Sequence, residues 1–102
     1  MEKLSCALKA LGDPLRLRIL ELLPDSGQCE AVYNVSELAL ELGIPQPTVS
    51  HHLRILKDAG IVRSRKLHRD VYYWIDRETV HGHAARLFRE VVQKQPAEHA
   101  MP

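Results

Sequence analysis

Gln46, Thr48, Ser50, His51 and Arg54 fall within one short stretch, QPTVSHHLR, and their side chains share a chemistry. The carboxamide of a glutamine sets a donor beside an acceptor, and an arginine guanidinium is a rigid fork of donors. Such groups pair with base edges in the major groove, glutamine with adenine and arginine with guanine. A second set follows: Arg65, Lys66, His68 and Arg69, with Arg63 just before them. These suit phosphate contacts or a minor-groove probe, which supply affinity and register but little base information. Arg63 also fits a plainer role, a charge that keeps an edge strand soluble. A third set is the two thiols, Cys6 and Cys29. Cytosolic thiols can form a regulatory disulfide, take a persulfide or bind arsenite with a third ligand, or they can be inert.

Other reactive patterns are missing. The chain has no Ser/His/Asp arrangement, phosphate loop or HExxH spacing, so an enzyme is not expected. His51 and His52 are adjacent on a helix and diverge, which excludes them as a metal pair. His52 is expected to be packed and hydrogen-bonded, His51 to point outward. His81 and His83 lie about 200° apart on a helix, too divergent to chelate from one face. A site shared between subunits, recruiting His99 or a cysteine, would have to meet strict geometry.

The elements that must position these residues can be read in order. Leu4, Ala7, Leu8 and Leu11 mark one face of a first helix stopped at Gly12; Cys6 lies off that face. Asp13-Pro14 is a cap followed by a proline suited to a first turn, and Leu15, Ile19, Leu22 and Leu23 form the buried stripe of a second helix. Pro24 to Asn34 reads as a loop with a short strand around Ala31–Tyr33. Ser36 is the expected cap of a third helix, with Glu37 beside its dipole, Leu38 and Leu42 inward, and Gly43 ending it in a left-handed turn. Gln46-Pro47 opens the fourth helix, with Pro47 at its first position, and Gly60 closes it.

Stepping about 100° per residue from Val49 places His52, Leu53 and Leu56 within about 60° of one buried direction. Pro47, Ser50, His51, Arg54 and Asp58 then face outward, while Gln46 and Thr48 flank an N-terminus whose amides can also meet a phosphate. In a helix-turn-helix the N-terminal part of the second helix contacts the bases. Val62–Leu67 and Asp70–Ile75 alternate as two strands around His68-Arg69, with Val71, Tyr73 and Ile75 on one side. Asp76 caps a last helix whose stripe is Val80, Ala84, Leu87, Phe88 and Val91. That stripe has no later partner in the chain, so another copy is expected to cover it together with Leu4 and Leu8.

At 102 residues the chain is read as one domain over 1–95 with a frayed tail at 96–102. Its net charge of +1 conceals a division: residues 45–75 hold six basic against two acidic residues, a local +4, and the rest carries −3. A basic patch coinciding with a helix pair attracts polyanions. No apolar run approaches the ~20 residues of a membrane span, and the N-terminus has no signal pattern. The expected location is the cytoplasm, with reduced cysteines.

The stretches ALGDPLRLRILELL, NVSELALELGIPQPTVSHHLRILKDAGIV and RDVYYWID together resemble the ArsR/SmtB family of winged-helix regulators, over about residues 7–76. The resemblance implies a mainly α winged helix-turn-helix of about five helices plus a two-stranded wing. It also implies a homodimer built from the first and last helices, and a repressor on an inverted-repeat operator in double-stranded DNA, released by a small inorganic effector. The family's usual metal sites are not matched. Asn34 and Ser36 stand where a Cys-x-Cys pair would be, and Arg77, Thr79, Glu90 and Gln93 where Asp-x-His and a later pair would be. DNA binding therefore needs no cofactor on this reading, and a metal or metalloid effector stays open through Cys6 and Cys29. His68 replaces a usual wing-tip glycine, which predicts a wider turn, and Pro45 replaces a capping serine. The alternative reading is a winged-helix protein-interaction module without sequence readout.

Overall fold

The computed structural model describes residues 2–25 and 32–93. Their order is α1 (Glu2–Leu11), α2 (Pro14–Leu22), α3 (Val35–Leu42), α4 (Gln46–Asp58), β1 (Val62–Leu67), β2 (Asp70–Ile75) and α5 (Arg77–Leu87), which runs on into a π-helical turn, Phe88–Val92. This is the expected winged helix-turn-helix, with both strand boundaries where the alternation predicts them. Cys29, His99, most of the expected short strand's surroundings and the tail 96–102 lie outside the described residues.

Two helix starts show how local chemistry sets the frame. Asp13 Oδ1 accepts from the amides of Leu15 at 2.9 Å and Arg16 at 3.2 Å, and Pro14, which has no N–H to satisfy, occupies the first turn of α2. The Asp13 carboxyl lies below its ordinary range, chiefly because the Arg16 amide donates to it; partial burial opposes this, and the Leu15 amide, Arg16 and His52 reinforce it. At α3 the expected cap is corrected. Asn34, not Ser36, is the N-cap, in a reciprocal box: Asn34 Oδ1 accepts from the Glu37 amide at 2.8 Å, and the Asn34 amide donates to Glu37 Oε1 at 2.9 Å. A capping box needs Glu or Gln three residues on; Asn34 has Glu37 there, whereas Ser36 has Ala39.

The core gathers Ala7 and Ala10 of α1, Ile19 of α2, Leu38, Ala39 and Leu42 of α3, and Val49, Leu53 and Leu56 of α4, closed below by Ile61 and Val62. Fully burying a leucine or isoleucine in such a cluster contributes about 1.5–3 kcal/mol. The α1 face turns slightly from expectation: Leu4, Ala7 and Ala10 are buried, while Leu8 is 44% exposed. Leu23 is buried as the extended residue just after α2, not within it.

The wing is an antiparallel pair running from Val62↔Ile75 to Leu67↔Asp70. Its turn is not wide. Only His68 and Arg69 lie between the strands, and His68 takes φ +59°, the conformation a glycine would hold. The other edge of β2 meets single bridging residues, Asp25 against Ile75 and Asn34 against Tyr72. The expected strand around Ala31–Tyr33 is thus replaced, at its described end, by one bridge at Asn34. Ile75 donates to the Pro24 carbonyl and Asp76 to the Ile61 carbonyl, both at 2.8 Å, which ties the wing to the body.

Candidate nucleic-acid interface

The turn between α3 and α4 sets the angle of the second helix. Gly43 sits at φ 68°, ψ 32°, where a side chain would be strained, and its amide donates to the carbonyls of Ala39 and Leu40. The Ile44 amide adds a bond to Ala39 O at 3.1 Å, so two amides close the end of α3 and the chain reverses sharply. Pro45 is the N-cap of α4 and Gln46 its first residue, which moves Pro47 to the second position. Pro47 has no N–H, and the Thr48 amide is bonded to Pro45 O at 3.0 Å. The helix start therefore has fewer amides to offer a phosphate than the sequence suggested, and the side chains matter more.

Around α4 the predicted division holds. Val49, Leu53 and Leu56 are fully buried, whereas Gln46, Pro47, His51, Arg54 and Asp58 are exposed and Thr48 and Ser50 half-exposed. His52 is half-buried and its Nδ1 accepts from Arg16 Nε at 3.1 Å, a packed, hydrogen-bonded residue as expected. The His51 and His52 rings meet edge-on with centroids 5.4 Å apart.

Sequence reasoning missed Ser36. Its hydroxyl donates to Gln46 Oε1 at 3.0 Å, orienting the first polar side chain of the outer face and leaving the Gln46 NH₂ as a donor. The signal was present in the Asn34-x-x-Glu37 box: once Asn34 is the cap, Ser36 is a helix residue with a free hydroxyl.

The register divides the basic residues of the wing. Arg63 pairs with Trp74 and Arg65 with Tyr72 on one face; Ser64 pairs with Tyr73 and Lys66 with Val71 on the other, which carries buried Val62. Arg65, Lys66, His68 and Arg69 are all exposed, but Arg65 and Lys66 point to opposite sides, and only the turn residues reach beyond both faces. Tyr73 links wing and helix: burial pushes its phenol above the ordinary value, and the nearby Arg54 guanidinium offsets part of that.

The positions at which the family's metal sites would lie are otherwise engaged. Asn34 is a cap, the Arg77 guanidinium meets Asp25 at 2.9 Å, the Thr79 amide donates to Asp76 Oδ1, and Glu90 pairs with Arg86 at 3.0 Å. Among the described residues no group of three or more His, Cys, Asp or Glu could hold a metal ion. Cys6 is exposed on α1.

Among the described residues, little covers the last helix. No residue of α5 is fully buried, and Phe88, Val91 and Val92 in the π-turn are 52%, 42% and 52% exposed. Leu87 and Val91 line an apolar groove of about 400 Å³ with Leu4, Ser5, Leu8 and Lys9 of α1. Of the predicted interface residues, Leu8, Ala84, Phe88 and Val91 are exposed and Val80 and Leu87 half-buried. Leu4 is the exception: at 2% exposure it packs within its own chain and has almost no surface left for a partner. No helix among the described residues is long and apolar enough to cross a membrane.

Comparison with known proteins agrees with this geometry. The family model described as bacterial regulatory protein, arsR family, matches residues 13–64, about half of the chain. An uncharacterized HTH-type transcriptional regulator of Methanocaldococcus jannaschii is 49% identical over 75 residues, which covers 72% of this chain and 79% of that protein. The HTH-type transcriptional repressor SmtB of Mycobacterium tuberculosis is 44% identical over 66 residues, 65% of this chain, and the match spans only 45% of that longer protein. In structure, a homodimeric winged helix-turn-helix DNA-binding domain from Mycobacterium bovis superposes with a TM-score of 0.66 at 32% identity, covering 96% of this chain and 84% of that one. With the match running from the cap of α2 through the recognition helix into the wing, the chain belongs to the ArsR family of winged helix-turn-helix, DNA-binding transcriptional regulators.

Proposed function

We propose that this regulator is a homodimeric repressor that binds an inverted-repeat operator in double-stranded DNA and is released from it by a small effector. One observation carries the reading: Gln46, Ser50, His51 and Arg54 lie on the accessible side of a helix whose opposite side is fully buried, beside a basic wing. The repressor direction is supported by the names of similar proteins, and dimerisation by the uncovered α5 and its groove against α1. Two α4 helices then enter successive major grooves ~34–36 Å apart.

The test is fluorescence anisotropy on duplexes enriched by the protein from a random-sequence pool. A palindromic consensus with half-sites one helical turn apart is expected. Affinity should fall steeply with salt, each neutralised phosphate adding about −0.9 to the log–log slope. Binding no better than that of any basic protein would favour an interaction module instead.

DNA binding on this reading requires no cofactor. The effector is a thiol-reactive species or a metalloid acting through Cys6 and Cys29. The exposure of Cys6 on the helix that lines the groove supports this, since chemistry there would bear on dimer geometry. Coupling of such a kind is typically ~1–3 kcal/mol. Unchanged DNA affinity and unchanged response to oxidant or arsenite in the Cys6→Ser, Cys29→Ser double variant would remove the thiols from the account.

A further inference from the structure

Arg16 does not belong to the outer face of α4 or to the wing, and its side chain is only 15% exposed. Its guanidinium nevertheless touches three elements. Nε donates to His52 Nδ1 on α4 at 3.1 Å. One terminal nitrogen donates to the carbonyls of Ala10 at 3.1 Å and Lys9 at 3.3 Å, in the last turn of α1. The other faces Asp13 Oδ2, at the cap of α2, at 3.9 Å.

A guanidinium presents five donors in fixed directions, so simultaneous contacts with four residues determine its orientation, and it in turn determines theirs. A lysine ammonium in the same place is a point charge and cannot reproduce the fork. In this contact Arg16 Nε is the donor and His52 Nδ1 the acceptor. His52 is half-buried on the helix that carries the fully buried Val49, Leu53 and Leu56, and Arg16 holds the Nδ1 side of its ring. His51, edge-on to that ring, lies at the border of the exposed reading face.

We propose that Arg16 is a positioning residue for DNA readout: through His52 it fixes the rotation of the recognition helix relative to the end of α1. Since α1 also lines the groove with α5, the same contact relays the geometry of the dimer-forming face to the reading face. The inference rests on the operator-binding reading above. Arg16 itself contacts no base; its effect is on how well Ser50, His51 and Arg54 can meet base edges together. Loss of the contact should therefore lower preference for the operator more than it lowers general affinity for DNA.

The experiment compares full-length wild type, Arg16→Lys, His52→Asn and His52→Leu. Each is titrated against the duplex that wild type enriches from a random pool and against a scrambled duplex of equal length, with urea unfolding of each variant alongside. An asparagine keeps an acceptor oxygen near the position of Nδ1; a leucine has none. Arg16→Lys and His52→Leu are expected to weaken operator binding about tenfold and leave scrambled binding within about twofold, with His52→Asn retaining most of the preference. The Arg16→Lys, His52→Leu double variant should lose no more than the worse single one, because both remove the same contact. Folded variants with the wild-type operator-to-scrambled ratio overturn the proposal, as does an equal loss on both duplexes that follows the loss of stability. A wild-type protein with no preference for the enriched duplex overturns both this proposal and the operator reading, whereas a preference that Arg16→Lys leaves intact overturns this one alone.

Discussion

Ser36 Oγ donates to Gln46 Oε1 at 3.0 Å, joining the second residue of α3 to the first residue of α4 across the Gly43 turn. The contact holds from behind the Gln46 carboxamide that is proposed to read a base. Ser36→Ala should therefore weaken operator binding, because the Gln46 carboxamide loses the contact that orients it. It should also lower stability, but by less than loss of the α3 cap, because the bond is exposed and the capping of α3 depends on Asn34.

Asn34→Ala is the complementary case. Loss of the capping box should cost about 1 kcal/mol of stability, within a range of about 0.5–2. Equilibrium urea unfolding of both variants checks the pair. If Ser36→Ala proved the more destabilising, the assignment of the cap would be wrong.

Asp13 provides a pH dependence of definite sign. Its folded-state pKa lies below the ordinary 3.8, first through the Arg16 amide, so the folded chain binds this proton less readily than the unfolded chain. The stability it contributes is present above the unfolded value and is lost as the pH falls through the folded one. Asp13→Asn keeps a capping oxygen but does not ionise. Wild type should be the more stable at neutral pH, and the gap should close below about pH 4. A gap that persists undiminished into that acidic range would count against the charge.

The wing turn stores strain at one residue. His68 sits at φ +59°, and non-glycine residues in that region cost about 1 kcal/mol or more. His68→Gly should raise the thermal midpoint, partly offset by the greater freedom of glycine in the unfolded chain. No change or a fall in the midpoint would mean that His68 makes compensating contacts.

Apolar surface exposed among the described residues at Phe88–Val92 predicts concentration-dependent assembly. Phe88→Glu places a charge on the π-turn, where 52% of Phe88 is exposed, and should shift a dimer toward monomer in sedimentation equilibrium. A monomeric wild type would contradict the proposed dimer, and a variant that dimerises as tightly would place the interface elsewhere.

Much of the fold is legible because it is set by local rules. The bounds of the wing follow from alternation, Asp13-Pro14 and Gly43 mark turns with residues chosen for backbone reasons, and the buried side of α4 follows from helical spacing. The exposed face proposed to read bases is its complement and follows from the same spacing. Ser36 was misread because a serine before an apolar run imitates a cap, although the glutamate that completes a box is three residues from Asn34. The Arg16–His52 bond joins positions 36 apart in sequence, and no periodicity announces a contact of that range. The outward rotation of Leu8 and the inward placement of Leu4 depend on how α1 packs on α4 and α5, which the stripe alone does not specify. The π-turn at Phe88–Val92 also breaks the regular spacing from which the last apolar stripe was read.

The central claim is that the exposed face of α4 reads bases. Its most direct test is the ratio of affinities for the enriched and scrambled duplexes, measured by anisotropy at fixed salt for wild type and the Ser50→Ala, Arg54→Ala double variant. The account predicts that the variant loses ~1–3 kcal/mol of operator preference for each good base contact removed, with scrambled binding little changed. A variant that keeps the wild-type ratio would contradict it.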